Sequence, residues 1–550
     1  MSKNLSELSG RKGLVDNLFE KIGTLSKETG TPSTADLEQL ANEFLIGKAN
    51  TFGTSSFYDF TKPENKGKKA YICNGSACLC AGKQSLVKEQ MLQYFNDNEI
   101  GHMTCLGRCH ENAAFNLNGH NYSGEDYLQI QNLLDHSKAT KEKYNVGGNI
   151  QLLTTPEKGL DHFVGLLKKA LQTPRTELLA DLKLSDLRGR GGAGFPMGLK
   201  WEFCMKEENE TKFIICNADE GDPGAYSDRY LLEQRPFSVL FGMMVGGYII
   251  GAKWGVLYIR AEYPEAIEII EESIHKLKDL KLLGENILGS DFYFEFKVIK
   301  AQGAYICGEE SALLNSIEGQ RPEVRTRPPF PAQKGLFNKP TVVNNVETFA
   351  AVRWIIENGG AAYQKLGTEK SSGSKLVSLD SFFNNPGIYE VVMGTSLSSV
   401  IHELGGGFKE PVKAIHIGGP LGGLVPISFV DKLTIDFESF ASNGFMLGHA
   451  SMVSIPEKFP MIEYLEHLME FAAYESCGKC FPCRLGTTRG HELFSKAKNE
   501  GYKINKELLF DLLDTLQKGS LCAHGGGIPL PVKNAFQYFG DELERYLELN

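Results

Sequence analysis

The sequence predicts a multidomain α/β protein, on three observations. Its 550 residues amount to about three to four domains at roughly 150 residues each. From about 150 to 365, helical segments alternate with apolar β-like runs at 213–216, 255–259 and 293–299. That alternation is the pattern of a layered sheet with helices on its faces. The hydrophobic fraction of 42% and charged fraction of 23% are ordinary for chains that bury full cores.

Residues 1–65 read as helices, with Leu14, Leu18, Phe19, Ile22 and Leu25 at helical spacing. Thr31-Pro32-Ser33 breaks the pattern, and Ser33 to Asp36 has the form of a capping box that opens the next helix. After a polar connection at 58–69 come a strand at 70–73, a helix at 86–95, a cysteine-bearing turn near 105 and a hairpin at 113–122. Asn118-Gly119 is the hairpin's turn. This small α/β unit ends near 135, and the Lys-rich stretch 136–143 with Gly147-Gly148 predicts a linker. Residues 373–435 hold short, glycine-rich strands, and the pattern from 462 onward is helical, interrupted by cysteines.

The net charge of −10 excludes a general nucleic-acid binder, which needs a basic excess. The first 22 residues mix charges without an apolar core, so no signal peptide is expected there. The apolar run 236–252 is Gly-rich and shorter than the roughly 20 residues that span a bilayer. It predicts a buried helix leading into a strand, with no direct membrane insertion and a cytoplasmic location.

Nine of the twelve cysteines fall into two groups. Cys477, Cys480 and Cys483 lie within seven residues, and Cys522 follows as a distant fourth. Four thiolates fit a cubane 4Fe-4S cluster or a tetrahedral zinc. Zinc sites usually come as two separated pairs, so the triple-plus-one favours iron–sulfur. Cys73 and Cys78, then Cys105 and Cys109, form two pairs about 30 residues apart and suit a 2Fe-2S cluster, with zinc as the alternative. Cys80 reads as a buried bystander and His110 as a neighbour.

The run from Leu187 to Pro196 carries Gly189, Gly191, Gly192 and Gly194. A glycine string alone is a weak signal, and no clear strand precedes this one. Glycines do let backbone N–H groups approach an anion. Arg190 and Lys200 add positive charge, and Phe195, Trp201 and Phe203 add flat apolar surfaces. The bland alternative is a surface loop followed by a core tryptophan. Two further loops follow apolar strands, where α/β proteins place ligands: one with Asn217, Asp219 and Glu220, the other from Tyr305 to Glu310. Arg327, Phe330, Asn344 and Asn345 lie further on.

Together GRGGAGFPMGLKW, CNADEGDPGAYSDR, YICGEESALLNSIEG, RPPFPA, PTVVNNVET and ESCGKCFPCRLGT resemble the NADH-binding flavoprotein subunit of respiratory complex I and its diaphorase relatives, over roughly 185–525. The N-terminal unit is similar to the thioredoxin-like 2Fe-2S subunit of the same assemblies, fused in front, as in diaphorase subunits of NAD-linked formate dehydrogenases and NAD-reducing hydrogenases. The resemblance implies a helical segment plus thioredoxin-like domain (1–140), a Rossmann-like FMN and NAD domain (150–365), a β-grasp domain (366–440) and a C-terminal helical 4Fe-4S bundle (441–550).

It puts FMN near Gly189, Arg190, Gly191, Gly192, Lys200, Asn217, Asp219, Glu220, Tyr305, Gly308, Glu309, Asn344 and Asn345, and NAD against Phe195, Phe203, Glu310 and Phe330. Asp222 also belongs to the implied cofactor site. Two residues depart from the respiratory pattern, Asp222 for Glu and Arg327 for Lys, and the segment 447–452 departs from a more Gly-rich loop.

The implied activity moves electrons between NAD(H), FMN and the clusters, to or from a separate catalytic subunit, with small iron–sulfur subunits as further partners. No general acid or covalent nucleophile is needed beyond the cofactors. A quinone-linked respiratory subunit and a non-catalytic scaffold are the alternatives.

Overall fold

The computed structural model describes residues 5–136 and 144–548, so most of the predicted Lys-rich linker lies outside the described residues. Helix Leu18–Thr29 starts where the Asn17 side chain accepts from Glu20 N and ends at Gly30, whose φ is 77°. Ser33 and Asp36 form the capping box that the spacing predicts. The first of these helices reaches the central unit, and the second packs against the first. Phe19 meets Tyr58 and Tyr258, and Asn17 Nδ2 donates to Ile317 O at 2.8 Å. Phe19 joins the core around Ile215, Val256 and Leu313, while Leu18, Ile22 and Leu25 of the same helix pack against Leu37, Leu40 and Phe44 of the next segment.

The small α/β unit has β1 (Ala70–Cys73), β2 (Ile100–Met103), β3 (Phe115–Leu117) and β4 (His120–Tyr122), in the order β2-β1-β3-β4. Strands β1 and β2 are parallel, and β3 runs antiparallel to β1. Asn118 and Gly119 have φ of 51° and 83°, the two left-handed residues that a type I′ hairpin turn requires.

Gly147 and Gly148, expected in a linker, instead lie in β5 (Val146–Gly148). This strand forms an edge of the third sheet, pairing parallel with a strand about 240 residues later in the chain. Contact with a distant partner, invisible to local pattern, turns this glycine pair into a strand.

The central sheet is wholly parallel: β6 (Phe213–Ala218), β7 (Trp254–Ile259), β8 (Glu295–Lys300) and β9 (Thr341–Asn345), ordered β8-β7-β6-β9. The apolar runs of the sequence mark three of these four strands. They miss β9, because its apolar content is two valines between a threonine and two asparagines. The apolar run forms helix Pro236–Ile250, buried on nearly every side, and leads into β7 as expected. A Cβ on its Gly242 would lie 2.1 Å from Phe349 O, so glycine there lets helix Val346–Asn358 approach at backbone distance.

The third sheet contains β5 with β10 (Ser374–Leu379), β11 (Gly387–Val392), β12 (Val412–Ile417), β13 (Gly423–Pro426) and β14 (Ser451–Pro456), ordered β13-β12-β14-β10-β11-β5. It therefore draws strands from both sides of the 366–440 span. Helices Met461–Tyr474, Phe481–Glu500, Lys506–Gly519 and Pro529–Tyr538 form the C-terminal bundle. No helix of the described residues is long and apolar enough to cross a membrane.

Candidate functional site

Strands β6, β7 and β8 run outward in one direction, while β9 lies on the other side of β6. The order therefore reverses between β6 and β9, and a ligand crevice opens beyond the carboxyl ends of strands at such a point. Register sets Asn217 beside Asn345 there. The glycine loop closes over the same place. Arg188 bridges Pro196, and Gly189 N donates to Phe195 O at 2.9 Å, so the loop is a tight hairpin. Gly192 and Gly194 have φ of 116° and 61°, and a Cβ on Gly191 would lie 2.9 Å from Asn345 Cβ. Arg190 N donates to Thr348 Oγ1 at 2.9 Å, tying the loop to the first turn of Val346–Asn358. Loop amides and a helix N-terminus together make an anion cradle.

The polar groups around the crevice divide into occupied and orphaned. Asn217 Nδ2 donates to Gly308 O at 2.8 Å, and Trp201 Nε1 donates to Asn344 Oδ1 at 2.9 Å. Trp201 is a fully buried core residue, not the stacking surface its position suggested. Glu220 accepts from Asp228 N and Arg229 N at 2.9 and 3.1 Å, holding the start of helix Ser227–Gln234. Glu309 likewise accepts from Ser311 N and Ala312 N and caps Glu310–Ile317. Both carboxylates position loops. The charge of Arg190 predicts a guanidinium offered to phosphate, yet Nη2 donates to Tyr363 Oη and Ser372 O. Its Nε and Nη1, and Asp219 Oδ2, are buried without a hydrogen-bond partner. Burial pushes Asp219 well above the usual carboxylate range. Orphaned buried groups are what a bound polar cofactor would satisfy, so these residues fit FMN.

Toward solvent, Lys200 Nζ donates to Val343 O at 3.0 Å and to Glu310 Oε2 at 3.2 Å. Glu310 also pairs with Arg327 at 3.1 Å. Phe195, Phe203 and Phe330 are 47%, 50% and 54% exposed, so three aromatic rings remain available to a planar ligand. The groove between Leu18–Thr29 and β8 is remote from these motifs, and its Lys297 and Lys300 are paired with Glu20 and Glu271.

Both thiol groups adjoin this crevice. Cys73, Cys78, Cys105 and Cys109 are all buried, with Cys105 Sγ and Cys109 Sγ 3.3 Å apart. Gly224 N, in the loop after β6, donates to Cys109 Sγ at 3.3 Å. Cys80 faces away, into the core around Met461 and Tyr464, as a bystander should. Cys480 caps Phe481–Glu500, Cys483 lies in its first turn, and Cys522 caps Ala523–Gly527, so three thiols sit at helix N-termini that favour negative charge. Burial pushes Cys483 up to about 12; Ser476 lowers it, and Cys480, Cys522 and Cys477 raise it again. Cys522 in turn feels the Glu309 carboxylate, beside the crevice. Among the described residues, no set of three or more His, Cys, Asp or Glu side chains is already arranged to hold a single metal ion. The cluster assignments therefore rest on the grouping of the thiols and on the family.

Fold and site define a redox protein that couples a flavin to iron–sulfur clusters. Residues 182–354 match the Nuo51 FMN-binding domain, and residues 463–546, with all four C-terminal cysteines, match the NADH-ubiquinone oxidoreductase-F iron-sulfur binding region. The chain is 42% identical over 389 residues to NADP-reducing hydrogenase subunit HndC of Solidesulfovibrio fructosivorans, covering 70% of this chain and 79% of that protein. It is 31% identical over 567 aligned residues to NAD-reducing hydrogenase HoxS subunit alpha of Cupriavidus necator, covering 96% and 91%. A subunit of the NADH-quinone oxidoreductase of Rhizobium meliloti is 40% identical over 402 residues, covering 72% and 94%. A chain of the NAD+-reducing [NiFe]-hydrogenase in the air-oxidized state superposes with a TM-score of 0.85 at 27% identity, covering 98% and 95%.

The chain belongs to the family of NADH-dehydrogenase-type FMN and iron–sulfur flavoprotein subunits. It is an NAD(H)-dependent oxidoreductase subunit that moves electrons between NAD(H), FMN and iron–sulfur clusters together with partner subunits.

Proposed function

We propose that this chain is the diaphorase subunit of a cytoplasmic complex whose separate catalytic subunit is of the hydrogenase or formate dehydrogenase type, with small iron–sulfur subunits between them. The observation that carries this reading is the thiol-bearing unit ahead of the flavin domain, inside a likeness that runs the length of the hydrogenase subunit. We assign a 2Fe-2S cluster to Cys73, Cys78, Cys105 and Cys109, and the 4Fe-4S cluster to Cys477, Cys480, Cys483 and Cys522.

FMN, when bound, takes two electrons from NADH at once and passes them on singly. Gly191 and Gly192 would give their amides to its phosphate, with Lys200 as the cation, while Gly189 N closes the loop on Phe195 O. Asn217, Asp219, Asp222, Tyr305, Gly308, Asn344 and Asn345 line the polar side, while Glu220 and Glu309 hold the loops in place. Arg190 braces the glycine loop through Tyr363 and Ser372, and its unpaired Nε and Nη1 would be free to bond a polar group of the cofactor. Phe195, Phe203 and Phe330 clamp the dinucleotide, and Glu310 is set by Lys200 and Arg327 to meet a ribose. Holding two reactants face to face is most of the catalytic work here.

Flavin and metal analysis of the anaerobically purified native complex tests this reading. FMN, iron and sulfide with nickel or molybdenum are expected; zinc at the cysteines, or co-purifying membrane subunits, would overturn it. Lys200→Ala is expected to lose FMN, and full occupancy in that variant would reject the loop assignment.

A further inference from the structure

Two residues more than 200 positions apart in the sequence meet in space. His449, just before β14, brings Nε2 to 3.0 Å from Asp222 Oδ2. The other oxygen of Asp222 accepts from Tyr305 Oη at 2.8 Å. A Cβ on Gly192 would lie 3.9 Å from His449 N and 3.7 Å from Gly448 Cα, so this histidine flanks the glycine loop. Nε2 faces Asp222 at ion-pair distance, while Nδ1 has no hydrogen-bond partner although it is shut off from solvent. Buried orphan nitrogens are costly, and a bound polar group is the ordinary reason to keep them.

The charges that face this ring come from three other elements. Asp222 and Glu220 lie in the loop after β6, Lys375 lies in β10, and Tyr305 adds a neutral hydroxyl through Asp222. Burial works against a charged ring. Asp222 and then Glu220 outweigh it, Lys375 opposes them, and the net direction is upward from the ordinary histidine value.

We propose that His449, held by Asp222, contacts the bound flavin and carries the proton that offsets the charge gained on reduction. This rests on the FMN reading of the crevice. Two-electron transfer from NADH moves two electrons and one proton together, leaving the acceptor one unit more negative. His449 binds one further proton from solvent as that charge arises, and releases it as the electrons leave for the clusters. No bond to His449 other than that N–H forms or breaks. A fixed cation in a water-poor site stabilises the reduced form far more than it would in water.

The test is the pH dependence of the flavin midpoint potential in the intact complex, followed by flavin absorbance from pH 5.5 to 8.5. Wild type is expected to take up an extra proton per two electrons only between the pKa of His449 beside the oxidised flavin, itself above the ordinary histidine value of about 6.5, and its higher pKa beside the reduced flavin, which sets the upper break. His449→Gln should abolish that break and lower the potential only on its acid side, and Asp222→Asn should move the break to lower pH. A His449→Gln profile that superimposes on wild type, or an unmoved break in Asp222→Asn, would overturn the proposal. Should His449→Gln bind FMN poorly, its affinity is compared at pH 6 and pH 8. Weakening confined to pH 6 sustains the proposal, and equal weakening at both overturns it. A wild-type complex without FMN would instead refute the reading of the crevice.

Discussion

Gly224 N donates to Cys109 Sγ at 3.3 Å, so the loop that leaves β6 toward the flavin crevice touches a thiol of the N-terminal unit. Hydrogen bonds to sulfur help set a cluster's potential. Gly224 has a φ of 95°, and a Cβ on it would lie 2.7 Å from Val453 Cγ2. Gly224→Ala must therefore move the loop. The expected result is a lower potential for the N-terminal cluster in a redox titration read by electron paramagnetic resonance. A stability loss of about 1 kcal/mol or more should accompany it.

Gly191 has no room for a side chain, since its Cβ would meet Asn345 Cβ at 2.9 Å. Asn345 also caps Val346–Asn358. Gly191→Ala should push the loop off the helix N-terminus and weaken FMN binding at least about tenfold, roughly 1.4 kcal/mol. Fluorescence of released flavin after gel filtration would measure it.

Phe330 is 54% exposed and free to stack. Losing one such contact costs about 1 kcal/mol, or roughly fivefold in affinity. Phe330→Ala should raise the KM for NADH by that factor with FMN content unchanged, as steady-state dye reduction would reveal.

Cys480 opens the helix that bears Cys483, and it is the more exposed of the two. Cys480→Ala should keep FMN and much of the NADH-driven dye reduction, because both precede this cluster. Transfer to the partner subunit should stop. Normal electron delivery to the partner in that variant would rule out this exit route.

His416 is buried against Tyr464, with Nδ1 2.8 Å from its hydroxyl, and burial pulls it down from 6.5 to about 4. Between those values the unfolded chain binds a proton that the folded one refuses. Stability therefore rises with pH across this window, and acidification from about 7 to 4 costs about 3 kcal/mol at this residue. His467 behaves alike. His416→Gln should flatten the acid side of a Tm–pH curve, and His416→Gln with His467→Gln should flatten it further.

Much of the fold is legible in short-range chemistry. Asn118-Gly119 dictates its hairpin, Ser33 and Asp36 their cap, and the apolar run its buried helix, because each is settled by neighbours a few residues away. Less is legible where the partner is remote. β9 and β5 carry too little apolar periodicity to be seen alone, and each becomes a strand only because another strand is waiting for its backbone. Residue type marks Glu220, Glu309 and Trp201 as notable, but not the groups they bond. His449 stands out in the sequence only as part of an unusual loop.

By itself the sequence determined the chemistry: which residues can grip iron, which loops can bend around a phosphate, and which family the chain resembles. Those properties reside in residue type and close spacing. Tertiary structure alone decided that strand order reverses between β6 and β9, that Cys109 abuts Gly224, and that Asp222 faces His449. Such contacts join residues more than about a hundred positions apart. They exist because whole apolar faces pack together, and no local pattern along the chain records which faces will meet.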